Sequence, residues 1–182
     1  EFSEVIDQGI KKELESYNQF LSNEEEPPSE FFDKLVKTGI YVPFFFYKER
    51  YAYNHKKALG LDKSPELSDD FYAYRKLIEL NDESLLDYSW NLAFINNFLY
   101  NLAHVEKMKD PENRIFELEF MKVVDKRIHV EDFRNSLLAK GVWGSLSNKN
   151  LSKEETEKVY AYFFEHCSDE AYKGELKKSI AQ

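Results

Sequence analysis

The 182 residues carry 34 acidic side chains against 25 basic ones, a formal charge of −9, which opposes nucleic-acid binding, since that needs positive charge to replace phosphate counterions. Only 6 glycines and 5 prolines are present, too few turn residues for a β-sandwich or barrel, so the chain reads as long helices. The single cysteine, Cys167, excludes an internal disulfide, and the longest apolar run, 40–47, is too short for a membrane span.

A first helix is expected from about 3 to 21, with Val5, Ile6, Ile10, Leu14, Tyr17 and Leu21 on its apolar stripe. Residues 22–28, Ser-Asn-Glu-Glu-Glu-Pro-Pro, read as a flexible polar linker. Ser29 then caps a long helix that Gly60 is placed to end in a left-handed conformation. Seven of the thirteen residues from Tyr41 to Tyr53 are aromatic. At helical spacing Phe31, Leu35, Val42, Phe46 and Tyr53 form one stripe and Phe32, Val36, Ile40, Phe44, Tyr47 and Tyr51 a second. Phe45 and Tyr41 point to a third side. A helix apolar on several sides must be covered on several sides. If Phe46 is fully buried, its truncation to alanine is expected to cost about 3–5 kcal/mol. Pro43 removes a backbone hydrogen bond within this helix and is expected to kink it.

Residues 61–67 form a loop. A short helix from Ser68 to about Leu80 is expected to bury Phe71, Tyr74, Leu77 and Ile78, and Asn81 or Asp82 caps a second core helix that runs to about Lys107. Asp110 followed by Pro111 marks the start of another helix. The next runs from about Val130 to Gly141, with Val142-Trp143-Gly144 as a loop. Ser152 and Glu155 make a capping box for 153–166, and Ser168 and Asp169 open a last helix that ends near Ile180. The expected fold is therefore all-α. It is one domain over 1–182, an irregular multi-helix bundle of about six to eight helices around the long aromatic-rich central helix.

Little in the chain carries chemistry. His104 and Met108 share a helical face, as do Asp125 and His129, but each pair falls short of the three or four ligands that zinc takes. No metal or cofactor is expected. His166 and Cys167 are adjacent, about 100° apart on a helix, and do not form a nucleophile–base pair. Cys167 reads as a small buried residue. The aromatic block is either core packing or the wall of an apolar groove between helices, for which Tyr47, Tyr51 and Trp90 are the candidates.

The stretch Glu66-Leu-Ser-Asp-Asp-Phe-Tyr-Ala-Tyr-Arg-Lys-Leu-Ile-Glu-Leu-Asn-Asp-Glu-Ser-Leu-Leu-Asp-Tyr88 resembles a pattern in the thioredoxin-like, TlpA-type thiol-disulfide oxidoreductases of Gram-negative envelopes. There a helical segment before the thioredoxin domain carries an Asp-aromatic-aromatic step and then Leu-Asn-(Asn/Asp)-Glu. Pro28-Ser-Glu-Phe-Phe, Phe46-Tyr-Lys-Glu-Arg-Tyr-Ala-Tyr and the lysine-rich ending from Tyr172 to Gln182 are similar to the same segment. The resemblance implies a helical fragment before a C-terminal thioredoxin-like domain, which would be its partner in the same protein, with envelope proteins as substrates and the periplasm as its location. It also implies that the family's Cys-x-x-Cys and cis-proline belong to that following domain. Cys167 matches neither cysteine, so this fragment is expected to be non-enzymatic, and its role would be to position or shape a substrate groove. A signal and an N-terminal β domain, also implied, are not among these residues. The alternative is a stand-alone helical module that binds a peptide or an apolar ligand.

Overall fold

A computed structural model describes residues 1–62 and 64–180. Among these the chain forms seven α-helices and two 3-10 segments, with no strand, so the fold is all-α. Residue 63 of the expected loop and residues 181–182 of the lysine-rich ending lie outside the described residues. The chain divides into two compact units, 1–98 and 99–182, and the boundary falls within one helix.

The first unit holds α1 (Phe2–Leu21), α2 (Glu30–Leu59), 3-10 segments at Asp69–Leu77 and Glu83–Leu85, and the first half of α3 (Ser89–Met108). The ends of α2 follow local chemistry. Ser29 Oγ accepts from Phe32 N at 3.2 Å, and Gly60 takes φ 61° at the other end, a conformation that costs glycine nothing. Glu30 and Asp33 in the first turn and Lys56 and Lys57 in the last complement the helix dipole. The helix continues unbroken through Pro43.

Its buried face differs from the expected stripes. Val42 and Phe45 are buried, whereas Phe31, Phe32, Tyr47 and Tyr53 are exposed and Phe46 is half-buried. Lys48 and Glu49 are buried beside Phe45. Spacing of three and four residues puts 42, 45 and 49 on one inward arc. Hydrophobicity alone does not select that arc, because nearly every side of this helix is aromatic.

Two further expectations are corrected in this unit. Residues 69–77 form a 3-10 spiral in which Tyr74 is buried but Leu77 is 65% exposed. The spiral ends at Leu77, and Ile78 is already extended, so Leu77 is left on the rim. Asp82 is indeed a cap, accepting from Ser84 N at 3.0 Å, but of the short turn Glu83–Leu85. The following α-helix begins only at Ser89.

The second unit holds the rest of α3, then α4 (Phe116–Arg127), α5 (Glu131–Ser147), α6 (Lys153–His166) and α7 (Glu170–Ile180). α5 packs against α4, α6 and α7, and α4 also meets α6. Phe120, Met121, Val124, Leu138, Val159 and Phe163 make its core. The capping box is present: Ser152 Oγ accepts from Glu155 N at 3.2 Å, and Glu155 Oε2 accepts from Ser152 N at 2.8 Å. Asp110 and Pro111 start no helix. Asp110 Oδ1 accepts from the Asn113 side chain at 3.0 Å in a turn, and α4 begins five residues after Pro111, at Phe116.

Gly141 does not end α5, which runs on to Ser147. A Cβ at Gly141 would stand 2.6 Å from Met121 Cγ, so the glycine is there to let α5 approach α4. Gly174 in α7 has nothing within 4 Å of the equivalent position. Helix propensity favours alanine at both sites by about 1 kcal/mol. Gly174→Ala is therefore expected to stabilise the protein by about 0.5–1 kcal/mol. Gly141→Ala is expected to destabilise it by about 1 kcal/mol, because overpacking of about 1–3 kcal/mol outweighs the propensity gain. Urea unfolding of the two variants distinguishes the cases, and a stabilised Gly141→Ala would mean that Met121 moves aside freely.

Candidate functional site

The first unit is organised around a buried carboxylate. Glu49 is 3% exposed and accepts from Arg75 Nε at 2.6 Å, Arg75 Nη2 at 2.7 Å and Tyr74 OH at 2.7 Å. The two guanidinium bonds form a bidentate pair, which fixes orientation as well as charge. Arg75 also lies 4.0 Å from the Tyr72 ring centroid and 5.0 Å from that of Phe98. Burial and the Glu49 carboxylate push the Tyr74 phenol well above its ordinary range. Burial works against the Arg75 charge, but the Glu49 hydrogen bond and charge outweigh it. Beside them the buried Lys48 donates to Asp7 Oδ1 at 2.9 Å. These bonds clamp the 3-10 segment against α2, and Lys48 ties α1 to the same place.

The clamp creates two adjoining clefts along one face of α2. The first, about 360 Å³, lies between α2 and residues 77–91, over a floor that includes Val42, Leu85 and the buried Asn91. The second, about 450 Å³, lies between α1, α2 and the 3-10 segment, lined by Ile10, Phe45, Ala73 and Tyr74 among others. Tyr41 and the exposed Leu77 line both. At the first cleft Lys34 donates to Asp82 and Lys37 to Asp33, each at 2.7 Å. These hydrogen bonds raise both lysines and lower both carboxylates relative to their ordinary ranges. Glu30 and Glu79 also line this cleft, and neither is ion-paired among the described residues. The first cleft therefore carries a surplus of negative charge.

Tyr47, Tyr51 and Trp90, the groove candidates from sequence, are placed elsewhere. Tyr47 and Trp90 both meet Phe46 edge-on, at 6.1 Å and 5.8 Å between centroids. Tyr51 stacks on Phe2 at 4.2 Å and neighbours Phe71 at 5.6 Å. None of the three lines either cleft. Tyr41 does, and its separation from the two main stripes, next to Phe45, was the one signal in sequence that could have found it.

The second unit gathers a polar cluster. Asp125 Oδ2 lies 2.5 Å from His166 Nδ1 and accepts from Tyr162 OH at 2.8 Å. Arg134 Nη1 is 3.5 Å from Asp125 Oδ1, and the Tyr162 ring stacks on His166 at 4.0 Å. The sequence put Asp125 with His129 on a shared face; the structure brings it the His166 imidazole at the end of α6. Burial and the Asp125 hydrogen bond push the Tyr162 phenol up. A carboxylate-oriented imidazole is half of a general-base device. The neighbouring thiol does not complete it: Cys167 Sγ donates to Asp169 O at 3.8 Å and is 2% exposed. The cluster ties α4, α5 and α6 together. Among the described residues no group of three or more His, Cys, Asp or Glu is placed to hold a metal ion. No helix among them is long and apolar enough to cross a membrane.

Burial raises the Cys167 thiol above its ordinary range. The native thiol is therefore expected to react with dithionitrobenzoate at least about ten-fold more slowly than in urea-unfolded protein at pH 8. The folded thiol ionises at higher pH than the unfolded one. Its contribution to stability is therefore complete below the usual thiol range, near pH 8.5, and is lost as the pH rises through the folded value. Equal reaction rates in the two states would show that the sulfur is accessible.

No family model, no curated protein and no solved structure matches this chain.

Proposed function

We propose that this chain is a non-catalytic helical accessory domain of a TlpA-like thiol-disulfide oxidoreductase of the Gram-negative envelope, orienting or shaping the substrate groove of a C-terminal thioredoxin-like domain of the same protein. The observation that carries this reading is the stretch from Glu66 to Tyr88, with its Asp-Phe-Tyr step and its Leu-Asn-Asp-Glu ending. The structural setting of that stretch supports it. Asp69–Leu77 is held by the Glu49–Arg75 pair and walls both clefts, so the residues that carry the resemblance also shape the concave surface. Sequencing the gene beyond residue 182 tests the reading. A thioredoxin-like domain with Cys-x-x-Cys is expected to follow, and the joined protein should catalyse thiol-disulfide exchange, in either redox direction, while residues 1–182 alone do not. Absence of such a domain would sink it.

A second reading, a stand-alone helical module for a peptide or an apolar ligand, is favoured by the two adjoining clefts themselves. They are concave, partly apolar and at the lower end of the roughly 300–1,000 Å³ usual for ligand sites.

A further inference from the structure

The two clefts along α2 adjoin end to end, sharing Tyr41 and Leu77 in their linings, and can be read as the two lobes of one elongated groove. The lining residues of α2 recur at helical spacing, Glu30, Lys34, Lys37, Tyr41, Phe45 and Lys48, all on one face. From Glu30 to Lys48 this face runs about 27 Å at about 1.5 Å per residue, the reach of about eight residues of extended chain. Its two lobes differ. The lobe near the start of α2 has four carboxylates in or at its edge, Glu30, Asp33, Glu79 and Asp82, and two lysines, each already paired with one of the aspartates. The other lobe is walled by Phe45, Ile10 and Ala73, and its buried ammonium, Lys48, is already held by Asp7. Lys76 and Asp70 balance there.

We infer that this groove binds an extended segment of a partner protein that sets a lysine or arginine beside Glu30 and Glu79 and apolar side chains against Tyr41, Leu77 and Phe45. Charge complementarity selects the basic residue, because the two unpaired carboxylates at the rim gain a partner without breaking an existing pair. The apolar lobe and the exposed Leu77 select its neighbours, since burying that surface is the main favourable term in such docking. The length of the groove and the modest volume of each lobe suit successive side chains of a peptide better than a single compact ligand. The inference goes beyond the accessory role and does not need it, because the groove is complete within residues 1–98.

The test is an amide NMR titration of the isotope-labelled 182-residue chain with the capped peptide Lys-Leu-Ser-Leu-Ser-Leu-Lys. Two control peptides replace both lysines by glutamate, or all leucines by serine. Saturable shifts confined to residues 30–48 and 70–91 are expected with the first peptide, with both controls binding at least about ten-fold more weakly. The double substitution E30Q/E79Q, at two exposed positions, should leave the spectrum dispersed and lower the affinity about five-fold. Equal binding of the serine peptide would reduce the effect to general attraction toward an acidic protein and overturn the inference. So would shifts outside the groove, no saturable shift at all, or unchanged affinity in E30Q/E79Q. The outcome does not depend on whether a thioredoxin-like domain follows the chain, so the two proposals fail separately.

Discussion

Arg75→Ala is expected to destabilise the protein by about 3–5 kcal/mol, the range for removing one partner of a buried ion pair. The Glu49 side chain is 0% exposed and that of Arg75 19%, so the substitution strands a carboxylate in a medium that cannot solvate it. Tyr74 OH remains a donor to it, but a neutral hydrogen bond does not replace a bidentate guanidinium. Truncation also removes the cation stacked between Tyr72 and Phe98. The double substitution Glu49→Gln with Arg75→Met is expected to recover most of the loss, because it removes both charges and keeps the volume. Urea unfolding of the single and double variants makes the cycle. If Arg75→Ala costs less than about 1 kcal/mol, the 3-10 segment is not held by this pair. The clefts it walls would then need another support.

Phe45→Ala is expected to cost about 3–5 kcal/mol, and Phe46→Ala less than half as much. Phe45 is 2% exposed and packs on Tyr41, Tyr74 and Phe94, at 5.6, 4.8 and 6.5 Å between centroids. Phe46 is only half-buried, covered edge-on by Trp90 and flanked by Arg50. The sequence placed Phe46 on a main stripe with Phe31, Leu35, Val42 and Tyr53, and Phe45 on a third side. The structure exchanges their ranks. Urea unfolding of the two variants measures the difference, and equal losses would mean that the second ring is as well covered in solution as the first.

The same exchange explains what could be read about the site. In a helix where three successive residues are phenylalanine, the pattern of apolar positions has no clear maximum, so the inward direction must come from what packs against it. Tyr74 and Phe94 choose Phe45. Leu77 faces Tyr41 across the groove in a segment that Arg75 ties to Glu49, a contact 26 residues apart in sequence. Glu49 and Lys48 look like solvated surface in the sequence, since charged side chains are seldom buried unless paired, and their partners lie on other elements. Asp125 likewise finds His166 from another helix, 41 residues away in sequence.

What the sequence by itself determined is the all-helical class and those ends of helices governed by side chains a few residues apart. Sparse glycine and proline, helical periodicity, the Ser29 cap, the Gly60 stop and the Ser152–Glu155 box all belong here, because each interaction is local and is present as soon as the turn forms. Local signals failed in two ways. Gly141 reads as a stop until the distant Met121 is set against it, whereas Asp110 with Pro111 makes a turn rather than a start through another local contact, the Asn113 side chain on the Asp110 carboxylate. Only the tertiary structure decided which face of the aromatic helix is buried, which charges are paired inside, and where the groove opens. Those outcomes depend on contacts between residues far apart in the chain, whose cost in chain entropy is met only when the surrounding elements pack together.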